Sequence, residues 1–147
     1  MISLTTETID YMALTESVRD PHCGAVTLFL GTVRDLTGDV VTTHLDYEAY
    51  APMAEKQLAG VEAEVRQQWP VGGVAIVHRL GRLHVNEISV AIAVSCPHRQ
   101  QAFEAGKFLI DEFKNVVPIW KKENWSDGTT EWVHPGAPVT RTSGFPA

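Results

Sequence analysis

The chain has little cysteine, little lysine and no long apolar run, and each shortage removes a class of protein. Cys23 and Cys96 are the only cysteines, and neither has a second Cys or His at zinc-finger spacing, which excludes a disulfide framework and a structural zinc site. None of the six histidines pairs at i, i+4, so neither a metal nor another cofactor is expected. No apolar stretch approaches the ~18 residues of a membrane-spanning helix. A formal net charge of −6 argues against the broad basic face of a nucleic-acid binder. The opening MISLTTETIDYMALTESVRD lacks a basic region followed by an apolar core, so the cytoplasm is the expected compartment, with no membrane or nucleic-acid partner.

What is present suits one folded domain. Its 147 residues fall in the commonest domain size, and such a chain buries enough surface to fold without staples. Residues 1–133 read as that domain. Residues 134–147, HPGAPVTRTSGFPA, carry Pro and Gly without periodicity and read as a poorly ordered or loosely docked tail.

Tyr11, Leu14 and Val18 mark a short helix over 10–19. GAVTLFLG at 24–31 is a compact β-branched run between glycines, the mark of a buried strand. A second strand follows at 40–47, after the polar loop RDLTGD. Pro52 suits a helix start, and Leu58, Val61 and Val65 form a stripe running to Trp69-Pro70, where the helix must stop. Residues 73–80 and 88–95 read as strands joined by a loop containing Asn86. Pro97 opens a third helix, with Phe103, Leu109, Ile110, Phe113 and Val117 at helical period until Pro118. Short strands are expected at 119–125 and 130–133. Clustered strands with helices between them predict an α+β sandwich, helices lying on one face of a largely antiparallel sheet. A ferredoxin-like β-α-β-β-α-β arrangement can be drawn from the middle of the chain.

The informative departures concern cations. His98 and Arg99 stand at the start of the third helix, where the macrodipole is already positive; either they point into solvent or they await an anion, for which free N–H groups and a guanidinium make a cradle. Three of the five lysines, Lys114, Lys121 and Lys122, fall within nine residues. Lys114 suits the last turn of a helix. Alternation sends Lys121 and Lys122 to opposite faces of an extended segment, so only one faces a given pocket. Arg34 opens a loop at the end of a buried strand. Arg82 and His84 are further basic candidates, His78 reads as a core histidine, and Glu48 and Glu87 form no paired-carboxylate spacing. These residues describe a domain with dispersed basic spots that could converge on an anionic ligand; they name no reaction.

FLGTVRD at 29–35, LDYEAYAPMAEK at 45–56, VAIVHRLGRLHVNEISVAIAVSCPHRQQAFEAGKFLIDEFKNVVPIWKKE at 74–123 and WV at 132–133 together resemble the large, catalytic subunit of molybdopterin synthase. The resemblance spans residues 24–133, and its most specific element is HR at a helix start, then a lysine, PIWKKE and WV in that order. It implies an α/β hammerhead-type fold and a sulfurtransferase that converts cyclic pyranopterin monophosphate into molybdopterin. It implies a small ubiquitin-like partner whose Gly-Gly thiocarboxylate supplies two dithiolene sulfurs, and a homodimer of large subunits within a heterotetramer.

Carried over by position, the substrate-binding residues would be Thr32, Val33, Arg34, His98, Arg99, Lys114, Lys121, Lys122 and Glu123. Lys114 and Lys121 would be catalytic. Some family members have lysine where this chain has Thr32. On this reading Arg34, His98 and Arg99 hold phosphate, while Lys114 and Lys121, the latter shielded by Trp120, lie near the thiocarboxylate. A non-catalytic module that grips a phosphorylated metabolite or a protein tail is the competing reading, and turnover with a thiocarboxylated partner separates the two.

Overall fold

In chain order the computed structural model contains β1 (Ile2–Thr5), α1 (Tyr11–Ser17), β2 (Ala25–Thr32), β3 (Leu36–Thr37), β4 (Val40–Ala49), α2 (Ala51–Gln68) and β5 (Val74–Arg79). Then come β6 (Gly81–His84), β7 (Ile88–Cys96), α3 (Arg99–Val116), β8 (Ile119–Trp125) and β9 (Thr130–Val133), with β10 (Arg141–Thr142) and β11 (Phe145–Pro146) in the tail. The structure describes residues 1–133 and the backbone of those last two strands. β10 and β11 pair antiparallel; the rest of the predicted tail lies outside the described residues.

Two sheets organise the domain. The first has the order β1-β5-β7-β2, with β1 parallel to β5 and the other pairs antiparallel. The second runs β3-β4-β8-β9, with β6 added to β4, all antiparallel. This is the α+β sandwich with largely antiparallel sheets that the sequence predicts. β1, β3 and β6 are strands that the sequence does not announce, because segments of two to four residues carry too little alternation to stand out.

The ferredoxin-like expectation holds for three strands: β2, β7 and β5 lie in that order. The fourth, β8, leaves for the second sheet, where it pairs with β4. Gly81, at φ +92, helps turn the chain between β5 in the first sheet and β6 in the second. Because β8 is elsewhere, β2 has no strand on its outer edge among the described residues.

The central strands are buried on both faces, as continuous apolar runs such as VAIV at 74–77 require. On one face Val74, Ile76, Val90, Ile92 and Val94 pack with Leu58, Val61 and Val65 of α2 and Leu109 and Phe113 of α3. On the other, Ala75, Val77, Ala91 and Ala93 receive Ile9, Leu14 and Val18. The helices therefore cover both faces, α2 and α3 on one and α1 on the other, rather than one face as predicted. A second departure concerns α3. Its inward stripe is Ala102, Ala105, Leu109 and Phe113, and Phe103 is 68% exposed. Small residues win those places because α3 approaches β2 closely: Thr27 Oγ1 donates to the Ala102 carbonyl at 3.1 Å, and a Cβ on Gly106 would sit 3.0 Å from that hydroxyl. Among the described residues no helix is long and apolar enough to cross a membrane.

Candidate functional site

Three elements deliver cations to the inner side of the second sheet. α3 ends at Val117, whose extended backbone and following proline stop the helix, leaving Lys114 in the last turn. The chain then reverses into β8, and Lys121 faces inward, opposite Tyr47 of β4. Arg34 leaves β2 just after Val33, which is pinned on both sides: its N–H donates to the Glu87 carbonyl at 3.0 Å and its carbonyl accepts from Asn86 N–H at 2.8 Å. The Val33 side chain is in the core beside Leu45 and Leu83, so what Val33 contributes is a fixed starting point for Arg34. Thr32 is exposed at the end of β2, where the ladder with β7 shifts register.

Electrostatics tie the three cations together. Burial lowers the Lys114 pKa, and the Arg34 charge lowers it further, although more than a third of the residue is open to solvent. Burial also lowers the Lys121 pKa; Glu123 opposes this, while Lys114 and Arg34 reinforce it. Glu123 is only 3% exposed, and desolvation raises its pKa against the pull of Lys121, Thr42 and Arg34. Its Oε1 lies 3.8 Å from Lys121 Nζ. For both partners desolvation outweighs their mutual attraction, as expected for a buried pair at this separation. The result is a pair of ammonium groups that release protons more easily than ordinary lysines, beside a carboxylate that holds one more readily.

Lys122 points to the opposite face, as alternation requires, and sits 5.9 Å from the centre of the Trp132 ring, a cation–π distance. Trp120, two residues earlier on the strand, shares that face and is 41% exposed. Shielding of Lys121 by Trp120, expected from their adjacency, is therefore not what desolvates it; neighbouring residues of a strand face opposite ways. The inner face instead brings aromatic neighbours that the sequence reading gave no part. Tyr47 meets His78 edge-on at 4.8 Å, and His78 stacks on Phe113 at 5.5 Å. His78 is buried, as read from its apolar surroundings, and burial together with the Lys114 charge lowers its pKa to about 4, so it is neutral near pH 7. The signal for Tyr47 was its alternation with Leu45.

His98 and Arg99 are elsewhere. His98 is the N-cap of α3, makes no side-chain capping bond, and no acidic residue occupies the first turn. Both side chains are exposed. Lys114 lies fifteen residues further along, about 22 Å at the rise of an α-helix. One chain thus brings together Arg34, Lys114, Lys121 and Glu123 and holds His98 and Arg99 at the far end of the same helix. A depression of about 540 Å³ lined by Arg19, Asp20, Cys23 and Val26 also lies away from the lysines, at the Ala25 end of β2. Among the described residues no group of three or more His, Cys, Asp or Glu could hold a metal ion. Both cysteines are free, Cys96 buried in the core.

Residues 4–116 match the family model described as MoaE protein. The chain is 54% identical over 123 residues to the molybdopterin synthase catalytic subunit of Staphylococcus carnosus, covering 81% of each chain. It is 50% identical over 118 residues to that of Halalkalibacterium halodurans, covering 80% of this chain and 75% of the relative. Among solved structures, molybdopterin synthase from Staphylococcus aureus superposes with a TM-score of 0.84 at 44% identity, covering 88% of this chain and 94% of that one. A complex of subunits 1 and 2 of molybdopterin-converting factor from Helicobacter pylori shares the fold, with a TM-score of 0.71 at 19% identity over 90% of this chain and 88% of that one.

Proposed function

Because the chain belongs to the MoaE family, that of the molybdopterin synthase catalytic subunit, we propose that it inserts two dithiolene sulfurs into cyclic pyranopterin monophosphate, one from each of two thiocarboxylated copies of a small ubiquitin-like partner, each copy leaving as the plain carboxylate. The observation that carries this reading is the convergence of three elements, which sets the exposed Arg34 close enough to the partly desolvated Lys114 and Lys121 to lower both of their pKa values. The substrate is a cyclic phosphate, and the sulfur donor and the carboxylate left behind are both anions, so fixed positive charge in a protected site stabilises every species along the path. Arg34 presents the planar fork suited to phosphate. Lys114 and Lys121, their pKa values lowered by burial and by neighbouring cations, release protons more readily than surface lysines.

His98 and Arg99 join this pocket from a second copy of the chain. β2 and α3 are matched in length, ~26 Å and ~27 Å, and β2, whose outer edge has no strand among the described residues, carries exposed Val26, Leu28 and Phe29. Two such edges paired antiparallel about a twofold axis put the Arg34 end of one chain beside the Ala25 end of the other. There Ala25 pairs with Cys96, two residues before His98. The homodimer then carries two complete pockets, each open to one small subunit, in a heterotetramer acting in the cytoplasm.

The test mixes the purified chain with the cyclic pterin and a thiocarboxylated small subunit and measures the oxidised, fluorescent product. Product is expected with the thiocarboxylate and not with the plain carboxylate. No product under conditions where the Staphylococcus aureus relative turns over would overturn the reading.

A further inference from the structure

We propose that Thr42 is a positioning residue for the Lys121 ammonium, acting through the buried carboxylate of Glu123. Thr42 Oγ1 donates to Glu123 Oε2 at 3.2 Å, while the other carboxylate oxygen faces Lys121 Nζ at 3.8 Å. A carboxylate engaged by a hydroxyl on one oxygen cannot rotate freely, so this bond directs the second oxygen at the ammonium. Both residues are 3% exposed, which leaves little water to replace the hydroxyl if it is removed.

The backbone is built to bring Thr42 here. Counting back from inward-facing Leu45, strict alternation turns Thr43 inward and Thr42 out. The β4–β8 ladder shifts register between Thr42 and His44, and the order is reversed: Thr42 is buried and Thr43 exposed. Thr43 spends its hydroxyl on the Asn124 carbonyl at 3.1 Å. Thr42 is fixed in place by its N–H, which donates to the Asp35 carbonyl at 2.8 Å. Irregularities of this kind re-aim side chains beside functional sites.

The charged groups around the pair are Arg34, after β2; Lys114, at the end of α3; and Glu131, on β9. Against the two cations and one anion, the Thr42 bond is the neutral contribution that favours ionised Glu123. Ionised Glu123 in turn raises the Lys121 pKa, opposing the lowering by burial, Lys114 and Arg34. Loss of the hydroxyl therefore raises the Glu123 pKa and lowers that of Lys121 further.

The consequence for turnover rests on the proposed sulfur transfer, whereas the positioning itself does not, and the experiment separates them. Thr42→Val and Thr42→Ser are compared with the unaltered chain by carbon NMR titration of the Glu123 carboxyl and the Lys121 Cε, by thermal unfolding and by the pH profile of product formation. In Thr42→Val the Glu123 midpoint is expected to rise and the Lys121 midpoint to fall, kcat to drop on the order of tenfold with KM nearly unchanged, and the pH profile to narrow from both sides. Thr42→Ser restores all of these. Unmoved midpoints in a folded Thr42→Val chain overturn the positioning, whatever the melting temperature does. Moved midpoints with an unaltered pH profile overturn its bearing on the reaction. Moved midpoints in a chain that makes no molybdopterin support the positioning and sink the sulfur-transfer reading instead.

Discussion

Tyr47 and Lys121 are cross-strand partners on the inner face of the second sheet, so the phenol ring and the ammonium stem stand side by side where Lys114 and Arg34 also act. The position of Lys121 is thereby set by a β ladder rather than by a flexible loop, which is how a long side chain can be held ready for chemistry.

Lys121→Ala is expected to lower the single-turnover rate more than tenfold, equivalent to ~1.4 kcal/mol of transition-state stabilisation. Thermal unfolding should change by no more than about 1 kcal/mol, because Glu123 can take up a proton once its partner is gone. Retention of more than a tenth of the rate would remove Lys121 from its proposed role.

Shared pockets make a complementation experiment decisive. Arg99→Ala and Lys121→Ala homodimers should each be poorly active, and a mixture allowed to exchange subunits should recover activity, since one of the two pockets in a mixed dimer contains every intact residue. If mixing restores nothing although mass spectrometry shows mixed dimers, His98 and Arg99 do not serve the neighbour's lysines.

The open edge of β2 can be blocked directly. Leu28→Lys places a charge on the exposed face of that strand, a device by which proteins prevent edge association. Sedimentation velocity should show a monomer at concentrations where the unaltered chain is a dimer, with product formation lost in parallel. A Leu28→Lys dimer with full activity would move the interface elsewhere.

His78 gives a pH dependence whose sign follows from its depressed pKa of about 4. Below its ordinary value near 6.5 the unfolded chain takes up a proton that the folded chain refuses, so stability present above pH 6.5 is lost as pH falls toward 4. The loss approaches ~3 kcal/mol at 1.36 kcal/mol per pH unit. His78→Gln should flatten that part of the profile in urea unfolding at pH 4 to 7. An unchanged slope would mean that His78 charges within the fold.

Cys96 is fully buried in the main core, and burial pushes its thiol pKa up, the opposite of what a sulfur nucleophile requires. Cys96→Ala should retain the rate of product formation and lose only some stability through the small cavity. A collapse of the rate in a folded variant would point to sulfur passing through this chain's own thiol.

Element types and several boundaries were legible because they depend on neighbours in the chain. Pro52, Trp69-Pro70 and Pro118 bracket α2 and end α3, and the runs 24–31, 73–80 and 88–95 became β2, β5 and β7. Phe103 lies on the outer face although it keeps the helical period, because periodicity cannot tell that α3 comes so close to Thr27 at Ala102 and Gly106 that this part of its inner face must be small. The separation of Lys121 from Lys122 was legible for the same local reason, strand alternation; the inward turn of Thr42 was not, because it comes from an irregularity in a ladder with a strand 81 positions away.

By itself, then, the amino-acid order determined the α+β class, the ends of the helices, the family resemblance and the set of cations from which a site could be drawn. Only the tertiary structure decided which of them meet. It put Arg34 with Lys114 and Lys121, left His98 and Arg99 a helix length away, and sent β8 to the second sheet, so that among the described residues no strand covers the outer edge of β2. Pairing and burial are contacts between distant segments, and the desolvation that shifts the Lys121 and Glu123 protons exists only once those contacts have closed around them.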